Sequence, residues 1–418
     1  MTPKHYYIFL FVVLLAACKE DTLFDKPATA GDADLIKYVA IGDATTAGYA
    51  DGGLYRDAQL ASFPNLLAKL FQQTGKGDFK QPLFDAGQEN GTGYYKFGGI
   101  GSGGLPILVE VKTNLAVRST KPTLYTEYTS TNQNLGVPNL RVADLRTIGY
   151  GLSSTPAFNP LFERLLPANA KSKSYLDYVA ESTPTFFTLN VGLSDLLGFV
   201  SSGGNELITP PALFAANFND LLAAAVNKNN KGVVMTLPDP TQLGYLTAIT
   251  ANSLKGPNNA SVFIKTGAGM VRTATDKDLM LPIAATTIGK QNSAGVPKGF
   301  FPNYPLDNSE VLDEDEVAQL NQAFNAYNQA IKVAAKAKSI PIFDYQEFQT
   351  RLKNGITQNG TSVNASYPNG NFYSLDAIHP TPRGNALLAN ELVKIINSTH
   401  GAMLRTLDIG LYEGIKLK

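Results

Sequence analysis

Tyr38-Val39-Ala40-Ile41-Gly42-Asp43-Ala44-Thr45-Thr46-Ala47-Gly48-Tyr49 is the stretch that decides the fold. Apolar and aromatic side chains run into a Gly-Asp pair, then small residues, then a second glycine. This reads as a buried strand that ends in a tight turn and feeds a helix or loop. In open α/β sheets, ligands lie just beyond the carboxyl ends of the strands, so the turn at Asp43-Ala44 is a natural place for a site.

The composition around this stretch suits a globular protein with a sizeable core. Of 418 residues, 44% are hydrophobic and 17% charged, and nothing divides the chain cleanly into two. The formal net charge is +0. No basic run or aromatic-basic stripe suggests nucleic acid, which excludes that partner class.

The flanking sequence supplies the other elements. Ser62 as N-cap and Pro64 in the first turn open a helix whose apolar face is Phe63, Leu66, Leu67, Leu70 and Phe71. Residues 75–132 are rich in Gly, Thr, Tyr and short β-prone runs and read as an irregular or β insertion. Within it Gly99 to Gly104 satisfies G-x-G-x-x-G, but no strand is expected to lead in and Leu105 to Val109 is strand-like, so the dinucleotide context fails. Thr185–Val191, Gly232–Leu237 and Ile340–Phe343 read as further strands of the sheet. Thr209 is expected to cap a helix starting at Pro210-Pro211, and Asp313 with Glu316 forms a capping box for a long helix. A second insertion, about 245–308, contains a hairpin formed by Ser261–Lys265 and Met270–Thr275. Thr381 and Pro382 start the last helix.

Four blocks in this order resemble the SGNH (GDSL-type) ester hydrolases. Gly42-Asp43-Ala44-Thr45-Thr46-Ala47-Gly48 is similar to the family's Gly-Asp-Ser-x-Thr-Ala-Gly run, with Ala44 where the family has its serine nucleophile. Asn134-Leu135-Gly136-Val137-Pro138-Asn139 is similar to Asn-x-Gly-x-x-Gly, with Asn139 at the last position, where the family's glycine N–H lines the oxyanion hole. Gly192-Leu193-Ser194-Asp195 is similar to Gly-x-Asn-Asp, with Ser194 in place of the asparagine donor. Asp376-Ala377-Ile378-His379 keeps the family's Asp-x-x-His, in which the carboxylate orients the imidazole base.

The resemblance implies a three-layer α/β/α, flavodoxin-like domain over 36–400, with a mainly parallel sheet of about five strands and a C-terminal extension at 401–418. It also implies ester hydrolysis with no cofactor and no metal. Asp376 and His379 are the acid/base pair, Ala44 marks the nucleophile position, Asn139 and Ser194 mark the oxyanion hole, and Asp43, Gly136 and Asp195 belong to the pocket. Three altered positions at the reacting centre favour a binding or accessory module for acylated, hydrophobic or glycan ligands. The alternative is an active esterase with an unusual nucleophile, for which Thr45 and Thr46 are the candidates. A third reading is a subunit docked on an outer-membrane transporter.

Ahead of the domain, Tyr6 to Leu15 is an apolar run too short to span a bilayer and shaped like a secretory signal. Leu15-Ala16-Ala17-Cys18 resembles a bacterial lipobox, which implies a signal peptide at 1–17, lipidation of Cys18 and a tether over 18–35. Lys19-Glu20-Asp21 resembles the export signal of surface lipoproteins of the Bacteroidetes. The expected location is the outer membrane, held by lipid alone.

Overall fold

Five parallel strands carry the fold: β1 (Tyr38–Gly42), β2 (Asn134–Gly136), β3 (Phe186–Asn190), β4 (Lys231–Met235) and β5 (Ile342–Phe343). They lie in the order β2-β1-β3-β4-β5. Ala40 faces Asn134 on one side of β1 and Thr188 on the other. The computed structural model describes residues 27–75, 77–227 and 230–417. The expected signal peptide, Cys18 and Lys19-Glu20-Asp21 lie outside the described residues.

Every residue of β1 and β3 is buried, as expected of parallel strands covered on both faces. Side-chain alternation divides them between two cores. Val39, Ile41, Phe187, Leu189 and Val234 enter one core with helices α3 (Pro211–Ala225) and α4 (Glu314–Ala337). Tyr38, Ala40, Phe186, Val233 and Met235 enter the other with α1 (Phe63–Gln72) and α5 (Pro382–His400). The three-layer α/β/α architecture expected from the sequence is therefore present. The strand order places a topological switch point at the carboxyl ends of β1 and β3, since the chain leaves β1 to one side and β3 to the other.

The capping box at Asp313 and Glu316 is formed, and Thr381 accepts from the Gly384 amide at the start of α5. Two caps differ from expectation. Ser62 takes the N-cap place of α1, yet its hydroxyl makes no capping bond and is buried without a partner among the described residues. The Phe63 amide is received instead by Asn385 Oδ1 of α5 at 3.1 Å. At α3 the N-cap is Pro210. The Thr209 hydroxyl donates to Asp195 Oδ1 at 2.7 Å, a charged acceptor that outcompetes a backbone amide.

The first insertion is built of hairpins. Tyr94–Ile100 pairs antiparallel with Pro106–Val111, with a register shift between Phe97 and Ile100. A strand therefore does lead into Gly99–Gly104, contrary to the reading from sequence, because Gly99 at φ +130 takes up the irregularity. The chain then turns into the partner strand and not into a helix, so no dinucleotide fold forms. Phe263–Lys265 and Val271–Thr273 form the expected hairpin of the second insertion. The insertions meet at Gly103, where a Cβ would lie 3.3 Å from Ala285 Cβ. Among the described residues, no helix is long and apolar enough to cross a membrane.

Candidate active site

The site starts at the end of β1. A Cβ on Gly42 would lie 2.1 Å from Thr46 Oγ1 and 2.2 Å from the Asn190 carbonyl, so only glycine lets β1 reach this depth beside β3. Asp43 then leaves the strand, Ala44–Ala47 makes one helical turn, and Gly48 at φ +87 ends it. This turn puts Ala44 on the wall of a cavity of about 790 Å³ at the carboxyl edge of the sheet.

Asn139, Ser194, Asp376 and His379 line the same cavity. Four segments separated by much of the sequence therefore converge at the switch point. Asn139 has φ +62, the left-handed conformation that asparagine tolerates better than most residues. Ser194 is the first residue of α2 (Ser194–Ser201), which starts just beyond β3.

Asp376 and His379 form a tightly organised pair. His379 Nδ1 lies 2.9 Å from Asp376 Oδ2. The other carboxylate oxygen accepts from the backbone N–H groups of Ile378 and His379, at 2.9 and 2.8 Å, and from the Ser374 hydroxyl at 3.1 Å. Burial works against the carboxylate, but the His379 charge and these hydrogen bonds hold Asp376 below the ordinary carboxylate range. Burial likewise works against imidazolium, yet Asp376 outweighs it and holds His379 above its ordinary value. The Tyr49 ring packs against the imidazole at 5.0 Å between centroids.

Three residues expected in the pocket lie behind its wall. A Cβ on Gly136 would lie 2.3 Å from the Ala47 amide, so this glycine allows β2 to pack on the Ala44 turn. Asp195 accepts from the amides of Val142 at 2.6 Å and Ala143 at 3.2 Å, fastening the chain just after Asn139 to α2. Burial pushes its carboxyl up to about 6 against those bonds. Burial pushes the Asp43 carboxyl up to about 6, against the pull of His379 and of the nearby backbone of Thr45 and Gly192. Its Oδ2 has no hydrogen-bond partner among the described residues.

The threonines considered as substitute nucleophiles are also placed. Thr45 and Thr46 are buried, and neither lines the cavity. The Thr46 hydroxyl is directed at the Asn190 carbonyl, 3.5 Å away.

The rest of the cavity was not singled out from the sequence. Leu105, Pro106 and Leu108 from the first insertion and Pro282 from the second make an apolar wall. Arg141 also lines it, held by a two-point contact with Asp144 at 2.7 and 3.0 Å. Arg141 lies two residues past the second block, and that nearness to a left-handed Asn139 is the signal that could have found it. The apolar wall had no such signal, because loops of low sequence regularity bring it there.

The family model described as GDSL-like Lipase/Acylhydrolase matches residues 38–392. No curated protein matches the chain. Among solved structures, the chain is similar to one at 12% identity and a TM-score of 0.35, covering 87% of this chain and 98% of that one. It is also similar to a gut microbial diltiazem-metabolizing enzyme at 9% identity and a TM-score of 0.30, covering 88% of this chain and 49% of that enzyme. The family match takes in the whole sheet and all four blocks, and the chain belongs to the GDSL-like lipase/acylhydrolase family.

Proposed function

We propose that this chain is a hydrolase scaffold without its nucleophile, using the cavity to bind acylated or otherwise hydrophobic ligands. The observation that carries the reading is the Ala44 methyl on the cavity wall with the Asp376–His379 pair. The chemistry of this family needs an attacking oxygen, its base and an oxyanion hole. The base and its orienting acid are in place, the attacking oxygen is missing, and Asn139 and Ser194 stand at the oxyanion positions. In a serine protease, loss of the nucleophile lowers turnover by roughly a millionfold. The apolar wall from the two insertions favours a ligand with a hydrophobic portion. With Cys18 lipidated, the site would be displayed at the outer membrane, where an accessory role beside a transporter of hydrophobic compounds fits the same chemistry.

The intact pair favours a second reading, an esterase in which His379 activates some other nucleophile. Turnover of short-chain p-nitrophenyl esters separates the two. We expect wild type to be inert and Ala44→Ser to gain turnover that disappears in the Ala44→Ser/His379→Ala double variant. Wild-type turnover abolished by His379→Ala overturns the binding reading.

A further inference from the structure

A second cavity, of about 660 Å³, lies on the other side of the Asp51-Gly52 turn, and no block of the family falls in it. Its size is within the roughly 300–1,000 Å³ typical of ligand sites. We propose that it is a binding site for a neutral glycan.

Its floor is aromatic. The Tyr94 ring stacks on Tyr55 at 4.0 Å between centroids and 17° between planes. The Tyr55 hydroxyl donates to Asp51 Oδ2 at 2.6 Å, and Asp51 Oδ1 accepts from the Leu375 amide at 2.8 Å. The platform is therefore fixed before any ligand arrives, so little ordering entropy is lost on binding. Phe97 and Tyr412 add two more half-buried rings.

The charged groups around this floor balance. Asp51, Asp57 and Glu413 stand against Lys69, Lys96 and Lys416. A nucleic acid or polyanion would need a positive field. A sugar ring needs something else: flat apolar surface for its C–H face, with both donors and acceptors around the edge for its hydroxyls. Tyrosine rings beside mixed charges supply that combination.

One wall is the segment after α5. The Tyr412 carbonyl accepts from Arg383 Nε at 3.0 Å and the Glu413 carbonyl from the Arg383 amide at 2.9 Å. This gives the C-terminal extension a use that its sequence does not reveal. Tyr95 and Leu375 line both cavities. A glycan seated here would direct a hydrophobic substituent at its inner end toward His379, a geometry that rests on the function proposed above.

The test is titration of the intact protein with neutral oligosaccharides of the xylose, mannose, glucose and N-acetylglucosamine series. cis-Parinaric acid, a fluorescent fatty acid, serves as a separate probe of the first cavity. We expect at least one series to bind, Tyr94→Ala to weaken that binding about tenfold or more, and Tyr94→Phe to retain it. Absence of binding in all four series by folded protein overturns the proposal, as does binding that Tyr94→Ala leaves unchanged. If the fatty acid binds and the glycans do not, this inference fails alone. If the glycans bind through Tyr94 and the fatty acid does not, the second cavity stands and the proposed use of the first falls.

Discussion

Replacing Asp195 by alanine tests how the Asn139 segment is held. The carboxylate is 3% exposed and receives three donors, the amides of Val142 and Ala143 and the Thr209 hydroxyl. Alanine leaves all three of these buried donors without their acceptor, at a cost of about 1 kcal/mol each. Asp195→Ala should therefore lose about 3 kcal/mol of unfolding free energy in urea titrations at pH 7.5. The loss should be local first: the Val142 and Ala143 amides should exchange much faster in hydrogen-exchange mass spectrometry, before the amides of β1 and β3 do. Asp195→Asn keeps one acceptor but turns an NH2 toward a donor, so it should fall between alanine and wild type. An alanine variant within about 0.5 kcal/mol of wild type, with unchanged exchange at those two amides, would refute the anchoring argument.

Two further predictions concern the same region. Burial holds Asp43 and Asp195 at about 6, so the fold binds their protons more tightly than the unfolded chain does. Their contribution is complete below about pH 4 and is lost as the pH rises through 6, so lowering the pH from 7.5 to 5 should add about 1 kcal/mol for each. His379, held above its ordinary value, acts in the same direction, while His400, lowered by burial, opposes it as the pH falls through 6.5. Urea midpoints at the two pH values should show the gain, and it should shrink in Asp43→Asn. The second change is Gly42→Ala, whose Cβ would meet the Asn190 carbonyl at 2.2 Å. That oxygen cannot move without disturbing β3, so the substitution should cost about 2–3 kcal/mol and abolish fatty-acid binding in the first cavity.

The sheet was legible where strands are continuous apolar runs, as in Tyr38–Gly42, Phe186–Asn190 and Lys231–Met235. It was less so at Asn134–Gly136, three residues whose strand character comes from pairing with β1. The site could be read as far as its blocks reach, since Ala44, Asn139, Ser194, Asp376 and His379 do meet at one cavity. Asp195 and Asp43 were harder to place. A carboxylate beside a site looks the same in sequence whether it faces ligand or fastens the wall, and only the three-dimensional donors decide. Thr209 was misread for a related reason, as a cap preference local in sequence yielded to a buried charge fourteen residues back.

The partition between the two cavities has a consequence in time. Its bonds, Gly52 to Asp376 and Leu375 to Asp51, each join residues 324 apart in the chain. All five sheet strands have been made once Phe343 is added, whereas His379 comes 36 residues later. Until those two bonds close, a chain can hold a complete sheet with its carboxyl edge unwalled and apolar surface bare. Contacts of such long range are slow to close, so this edge is where a folding chaperone would find the protein.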